Sequence, residues 1–266
     1  MNSLIQFLKA LGLVAFLFFW GSHAFAQQGP HVPAPTQPGK GVWVLETTWN
    51  SFEFTPGGKE QRDSLLSTRL TRGLSGDWSA FVEEPLMNLS QAGDVRVGLR
   101  HRLWQKDTAS VDTERFGLSG GLRLPTGATA FSTDQVAPFF GASWMKISGR
   151  QGLNLAAVWR EGHGSLPDPV RPGDGERDLL ELHGGFLWRV DPVTWGSDRV
   201  ASTYATVELS GYREGNGDSE LLLAPGLLYE APTWAGFLTL QIPALDSLDH
   251  RSERGPALTA GIRIFL

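Results

Sequence analysis

The sequence predicts an all-β protein, an antiparallel up-and-down transmembrane β-barrel of about 12 strands. Two observations predict it: an export signal at the start of the chain and a strand of alternating character at its end. In the last ten residues, one face of an extended strand carries Leu258, Ala260, Ile262, Ile264 and Leu266, and the other carries Thr259, Gly261, Arg263 and Phe265. A strand in lipid must show hydrocarbon outward and have its backbone groups paired, which a closed sheet allows.

Residues 1–26 have the features of a cleaved signal peptide. Lys9 precedes the apolar run 11–20, and Ala24-Phe25-Ala26 forms an A-x-A cleavage site before Gln27. The run is well short of the ~20 residues that a membrane-spanning helix needs. We therefore expect cleavage after Ala26 and export to the bacterial outer membrane.

Residues 27–39 are rich in proline, with prolines at positions 30, 33, 35 and 38. Each proline lacks the N–H that a strand ladder or a helix interior uses. This composition predicts a periplasmic tether that precedes the barrel. A proline-rich ligand for a partner is the alternative, but the stretch contains no repeated motif.

Residues 40–266 form the predicted barrel, because apolar and polar residues alternate there in segments of about ten residues separated by Gly, Asp, Pro and Ser clusters. An even strand number is typical of bacterial single-chain barrels. Long and short connections alternate as they should, except at 105–113 and 191–200, which are longer than a periplasmic turn should be. The predicted strands are 41–53, 64–73, 77–86, 94–104, 114–124, 135–146, 152–161, 177–190, 201–212, 219–229, 234–243 and 256–266.

The two faces of each segment differ in polarity, which predicts the residues that line the lumen. In segment 177–190, Leu182 lies on the apolar face and His183 on the polar one. An arginine at the bilayer midplane costs ~2–4 kcal/mol, so the charged face must point inward. Glu83 is ambiguous by this test, and His101 falls on an outward face. The predicted lumen residues are Glu46, Arg69, Arg96, Arg100, Arg102, Arg123, Glu181, His183, Arg189, Glu208, Gln241 and Arg263.

Two interpretations of this charged lumen remain open. The arginines could attract anionic or polarised solutes along a permeation path. Alternatively, arginine and carboxylate pairs could fill a narrow barrel and hold it rigid. The chain has 18 Arg and 5 Lys. This excess of arginine is compatible with both interpretations, because the planar guanidinium keeps its charge and binds carboxylates with two hydrogen bonds.

Tryptophans lie mostly near the ends of the segments, where they favour an aromatic girdle at the membrane interface. An aromatic solute-binding track is the alternative. The residues concerned are Trp43, Trp49, Trp78, Trp144, Trp159, Trp188 and Trp234.

Composition and motifs argue against several other functions. The formal net charge of −5 argues against a nucleic-acid partner, and the absence of Cys excludes disulfides and thiolate chemistry. No histidine pair has metal-ligand spacing, so we predict no metal, cofactor or catalytic residue. The loop Gly162-His163-Gly164-Ser165 is more typical of solvated residues than of a Ser-His hydrolase. Gly117 to Gly121 lacks the Lys of a phosphate loop and favours barrel curvature instead.

The stretch Gly121-Leu122-Arg123-Leu124-Pro125-Thr126-Gly127 resembles the outer-membrane protein family named for the meta-pathway of phenol degradation, in which a strand typically ends in a Leu-Pro-Thr-Gly corner. The stretches 223–229 and 240–243 and the closing 261–265 are similar to that family as well. One departure is that Phe265 is penultimate, where such barrels usually end in an aromatic residue. The resemblance implies uptake of small hydrophobic or aromatic compounds and supplies no catalytic residues.

The sequence thus predicts a single barrel that passively admits small solutes. Its expected partners are outer-membrane lipid, the barrel assembly machinery and the small-molecule solute. Three alternatives stay open: an anion-selective oligosaccharide porin, an outer-membrane lipid hydrolase with a Ser-His pair on the outward surface, and a closed structural barrel.

Overall fold

The computed structural model describes residues 28–55, 61–109, 112–128, 131–132, 135–161, 178–194 and 201–266. The predicted signal peptide and the loop around His163 lie outside these residues. No helix within the described ranges is long and apolar enough to cross a bilayer. The strands are β1 (Trp43–Phe54), β2 (Gln61–Gly73), β3 (Trp78–Met87), β4 (Gln91–Ala92), β5 (Val95–Asp107), β6 (Thr113–Leu124), β7 (Ala137–Ser148), β8 (Gln151–Arg160), β9 (Leu179–Asp191), β10 (Ser202–Glu214), β11 (Ser219–Glu230), β12 (Trp234–Ser247) and β13 (Arg254–Phe265).

The strands close into a twelve-stranded antiparallel barrel, which confirms the predicted fold. Each wall strand pairs with its neighbours along the chain, β1 pairs with β13, and β5 pairs directly with β3. The two-residue strand β4 adds only a short pairing on β3 and is not part of the wall. Closure leaves the wall without a free edge, so its backbone groups can pair inside an apolar solvent. Each of the twelve predicted segments corresponds to one wall strand.

The two rims of the barrel differ in their connections. The terminal rim, where β1 begins and β13 ends, carries the short turns 74–77, 149–150 and 231–233. The loop rim carries the longer connections 125–136, 161–178 and 248–253. Of the two connections that broke the predicted rule, 108–112 is shorter than expected because β5 extends to Asp107. The terminal-rim connection 192–201 is still long, as it was in the prediction. The loop-rim connection 215–218 is short, which also departs from the alternation of long and short connections.

Apolar side chains on the exterior alternate with inward side chains that include most of the charged groups, as the segments predicted, and the apolar cluster of Leu187, Tyr204 and Leu228 also packs inside. Leu182 is 55 % exposed, whereas its neighbour His183 is 7 % exposed. In β13, Leu258 and Ile262 are exposed, and Arg263 is buried. The exterior is therefore an apolar band of the kind that meets lipid, and the charged groups lie inside.

Tryptophans surround the terminal rim on the outside. Trp43, Trp78, Trp188 and Trp234 are all exposed and lie at the terminal-rim ends of their strands. His101, which the sequence placed on the outward face, stacks on Trp78 with ring centroids 4.1 Å apart. These positions fit the predicted interface girdle.

Residues 28–39, the inner segment, lie inside the barrel, so the prediction of a periplasmic tether is wrong for them. Ala34 is buried and packs with Met145 and Ile147 of β7. The hydroxyl of Ser79 on β3 donates to Oε1 of Gln37 at 2.5 Å. The prolines keep this segment out of the wall ladder, but an extended chain can still lie against inward side chains and fill the lumen.

Candidate functional site

Glu208 of β10 anchors the inner segment in the middle of the lumen. The backbone amides of His31 and Val32 donate to its carboxylate, with His31 N 3.1 Å from Oε2 and Val32 N 3.4 Å from Oε1. Glu208 is fully buried. Gly185 lies opposite Glu208 on β9, and a Cβ there would approach Val32 Cγ2 to 3.0 Å. A predicted lumen residue thus holds the segment rather than lining an open path.

The ring of His31 bridges to the far wall of the barrel. Its Nε2 lies 2.7 Å from Thr239 Oγ1, and Gln241 Nε2 lies 3.2 Å from its Nδ1. Burial, followed by the nearby charge of Arg254, lowers the pKa of His31 to about 4. The neutral ring can therefore accept from Gln241 at Nδ1 and donate to Thr239 from Nε2. Gln241, predicted to face inward, also accepts from Arg254 Nη2 at 2.8 Å.

A row of charged residues, the charge row, runs across neighbouring strands on the lumen face. Its members lie directly opposite one another in the strand register, so each is a cross-strand neighbour of the next. Around the wall from β13 to β6, they are Arg263, Glu46, Arg69, Glu83, Arg96 and Arg123.

Ion pairs connect most of this row. Arg263 Nε lies 2.7 Å from Glu46 Oε2. Glu83, whose facing the sequence left ambiguous, points inward and binds two guanidiniums, with Arg69 Nη2 at 2.5 Å and Arg96 Nη2 at 2.7 Å. This is the rigid ladder that the second interpretation of the lumen describes.

The alternation of sign ends where Arg96 lies opposite Arg123. Like charges directly opposite each other destabilise a strand pair unless something compensates them. Asp94 lies 3.9 Å from Arg123 Nε, and Glu83 is shared between Arg96 and Arg69. This end of the charge row therefore carries more positive than negative charge.

Two cavities lie against the inner segment. The outer chamber, of about 300 Å³, lies toward the loop rim; Arg96, Arg123 and Arg254 are among the residues that line it, and Pro30 to Pro33 of the inner segment form one wall. The inner cavity, of about 50 Å³, lies toward the terminal rim between the inner segment and strands β1, β2, β5, β6 and β13. Polar and apolar groups line both cavities, and residues of the inner segment border each of them.

The three arginines that the sequence placed along one inward face of β5 have different environments. Arg96 lines the outer chamber, whereas Arg100 lines the inner cavity with its guanidinium 5.3 Å from the ring centre of Phe81. Arg102 lies at the terminal rim, where its Nη2 is 2.9 Å from Asp77 Oδ1. The three arginines thus do not line one common cavity.

Arg189 of β9 also lies near the terminal rim, at the end of its strand. It is buried, and its Nε donates to the carbonyl oxygen of Pro192 at 3.1 Å. Arg150 Nε in turn donates to the Arg189 carbonyl at 2.8 Å. These contacts fasten Pro192, the first residue after β9, to the wall and place Arg189 in a structural role.

Glu181 and His183 belong to a buried network in which a hydroxyl, an imidazole and a carboxylate follow one another, as they do in a hydrolase triad. His183 Nδ1 lies 3.0 Å from Ser210 Oγ, and His183 Nε2 lies 3.1 Å from Glu181 Oε2. Arg160 forms an ion pair with Glu181. Ser210 is buried and lines neither cavity, and it faces the lumen rather than the outer surface. Ser210 and His183 therefore lie on the inward face, whereas the lipid-hydrolase alternative needs a Ser-His pair on the outward surface.

Sequence reasoning missed several lumen residues. Ser210 lies two residues from Glu208, so the period of two along β10 could have found it. Arg254 lies just before the predicted segment 256–266, and Arg115 lies one residue inside the start of segment 114–124, where facing is hard to assign. Within the described residues, no group of three or more His, Asp and Glu side chains is arranged to hold a metal ion.

We expect Gly73→Val to displace the inner segment, because a side chain at Gly73 would overlap the backbone carbonyl of Gly39. The chain has no cysteine, so a single Thr36→Cys provides a specific label, and Thr36 is buried. A thiol reagent should label this cysteine slowly in the otherwise unchanged barrel and at least tenfold faster beside Gly73→Val. Gly76→Val is the matched control, since a Cβ at Gly76 meets nothing within 4 Å. Equal labelling rates in both variants would show that the segment is not packed against Gly73.

No protein-family model and no curated protein sequence match this chain. Among solved structures, the barrel is similar to the COG4313 outer membrane channel from Pseudomonas putida F1, with a TM-score of 0.63 and 10 % identity over 91 % of this chain and 100 % of that one. It is also similar to the NanC porin, with a TM-score of 0.50 and 13 % identity over 83 % of this chain and 98 % of that one. At these identities the likeness shows the fold, which is that of outer-membrane barrels.

Proposed function

We propose that the protein is an outer-membrane channel for passive uptake of small solutes and that the inner segment closes it. The observation that carries this proposal is that the lumen is filled by a separate stretch of chain and not by wall side chains alone. The inner segment contributes no strand to the wall. Its central amides bind a single carboxylate, that of Glu208. A segment held this way can leave without disturbing the strand ladder.

The outer chamber supports a preference for small organic solutes with an anionic or polarised group. Its volume of about 300 Å³ is at the lower end of typical small-molecule sites. The surplus of arginine at Arg96 and Arg123 would attract such a group, since charges in a low-dielectric constriction are poorly screened. We also propose uptake of hydrophobic or aromatic solutes and membership of the phenol meta-pathway family. The short motifs that resemble that family are the support for both.

Location and assembly belong to the same proposal. The exposed apolar band and the interface tryptophans support a place in the bacterial outer membrane after signal cleavage. Insertion there would depend on the barrel assembly machinery. A long oligosaccharide is the less favoured solute, because the inner segment leaves two small cavities rather than an extended groove.

A closed structural barrel is the second candidate, and one observation favours it. Glu83 is bound by both Arg69 and Arg96, so part of the charged lumen is a structural ion-pair network. In that case the inner segment would be a permanent filling of the barrel. The two candidates differ in what removal of the segment does.

Deletion of residues 28–39, with the export signal kept, should open the channel. In planar bilayers we expect low conductance from the full chain and severalfold higher, anion-preferring conductance from the deletion. A variant with residues 28–39 replaced by a Gly/Ser stretch of equal length controls for chain length and should also conduct, because it lacks the contacts of the His31 ring with Thr239 and Gln241 and the packing of Ala34 on β7. A folded, heat-modifiable deletion variant that conducts no better than bare membrane would favour the closed barrel.

A further inference from the structure

The side chains that line the inner cavity carry more positive than negative charge. Four arginines line it, on four different strands: Arg69, Arg100, Arg115 and Arg263. Glu46 is the carboxylate residue that lines it with them. Arg69 is paired with Glu83 outside the cavity. For Arg100 and Arg115, the described part of the chain offers no carboxylate in ion-pair contact.

Several guanidinium N–H groups around this cavity lack a protein acceptor. The Arg263 side chain is 3 % exposed, and its Nε binds Glu46 at 2.7 Å. Among the described residues, neither its Nη1 nor its Nη2 has a hydrogen-bond partner, and the same holds for Arg115 Nε. Buried donors without acceptors are costly, so a bound group with acceptor oxygens would stabilise them.

The inner segment forms the other side of the cavity with polar groups. Gln28, Thr36 and Gln37 line it opposite the arginines. The volume of about 50 Å³ corresponds to a few water molecules, because one water needs ~10–15 Å³ by the same measure. The space thus suits a ligand of a few heavy atoms.

We infer that the inner cavity binds a small oxyanion, with Arg100, Arg115 and Arg263 as its main ligands. Guanidinium groups present paired N–H donors that match the oxygens of phosphate, sulfate or a carboxylate. The anion supplies the acceptors that Arg115 and Arg263 lack and offsets the surplus charge. Because the inner segment forms one side of the cavity, a bound anion also links that segment to the wall. This inference does not depend on transport.

Calorimetric titration of the purified full chain, with its inner segment intact, tests the inference. Inorganic phosphate and acetate are titrated separately at constant ionic strength in a zwitterionic buffer. We expect saturable 1:1 binding of at least one of them, and at least about a tenfold loss of affinity in Arg115→Gln and in Arg100→Gln, since each removes a charge-assisted contact. Phosphate binding alone would identify a free inorganic ion, whereas acetate binding would identify the carboxylate of an organic solute.

Two further variants locate the site. Arg62→Gln, an exposed arginine at the loop rim, should bind as the unchanged chain does. Arg96→Gln is not a neutral control, because Arg96 belongs to the outer chamber; it compares the two cavities instead. A tenfold loss of affinity in Arg96→Gln, with the affinity kept in Arg100→Gln and Arg115→Gln, would place the anion in the outer chamber and overturn the inference. Unchanged affinity in both inner-cavity variants, or no saturable binding of either anion, would overturn it as well.

A second measurement needs no variant and covers the case in which a substitution prevents folding. Binding to the folded state alone raises the melting temperature by mass action. At a hundred times Kd, phosphate or acetate should raise the melting temperature by roughly 5–10 °C relative to chloride at equal ionic strength. A melting temperature that follows ionic strength only would overturn the inference.

Discussion

Replacing Leu209 with Arg is expected to prevent most of the protein from assembling in a membrane. Leu209 lies in the middle of β10, where it is 45 % exposed on the outer surface. Its cross-strand neighbours are Gly184 and Leu223, so a guanidinium there would find no polar partner on either side. An arginine facing hydrocarbon near the midplane costs ~2–4 kcal/mol.

The measurement is the folded yield in lipid vesicles, read as the fraction that migrates with shifted mobility without boiling. Leu245→Arg is the matched control, because Leu245 is 70 % exposed and lies near the loop-rim end of β12, where the penalty falls to about 0–1 kcal/mol. We expect a large loss of yield for Leu209→Arg and little for Leu245→Arg. Equal yields would mean that the middle of β10 does not face hydrocarbon.

Replacing Glu83 with Gln should destabilise the folded barrel by about 3–5 kcal/mol, the usual cost of removing one partner from a buried ion pair. The Glu83 carboxylate accepts from Arg69, from Arg96 and from the hydroxyl of Ser67 at 2.8 Å. Glutamine has nearly the same shape, so the loss reports charge rather than packing. Arg96 would then face Arg123 with no carboxylate of its own.

Glu53→Gln is the control for this second prediction. Glu53 forms a cross-strand ion pair with Arg62 that is largely exposed, with the two side chains 36 % and 72 % exposed. Exposed pairs contribute about 0–1 kcal/mol, so this variant should be nearly as stable as the unchanged chain. Urea unfolding in vesicles gives the free energy of unfolding of each. A small loss in both variants would show that the charge row is hydrated and carries little stability.

The sequence by itself determined the wall of the barrel. The alternation at Leu182 and His183, or at Ile262 and Arg263, could be recognised residue by residue, because lipid rejects charge on every outward position and the period of a strand is two. The twelve strands and the inward facing of the charged residues follow from this local rule. The same rule could not decide Glu83, which lies close to the end of its segment.

Only the tertiary structure decided what fills the lumen and which charges meet. Alternation says that a side chain points inward, but register and closure choose its partner: Arg263 meets Glu46 because β13 pairs with β1, although 217 residues separate them. The proline-rich stretch has no period to interpret, so its composition alone predicted a tether outside the barrel. It lies inside because Glu208, far away in the chain, offers a buried carboxylate to the free amides of His31 and Val32.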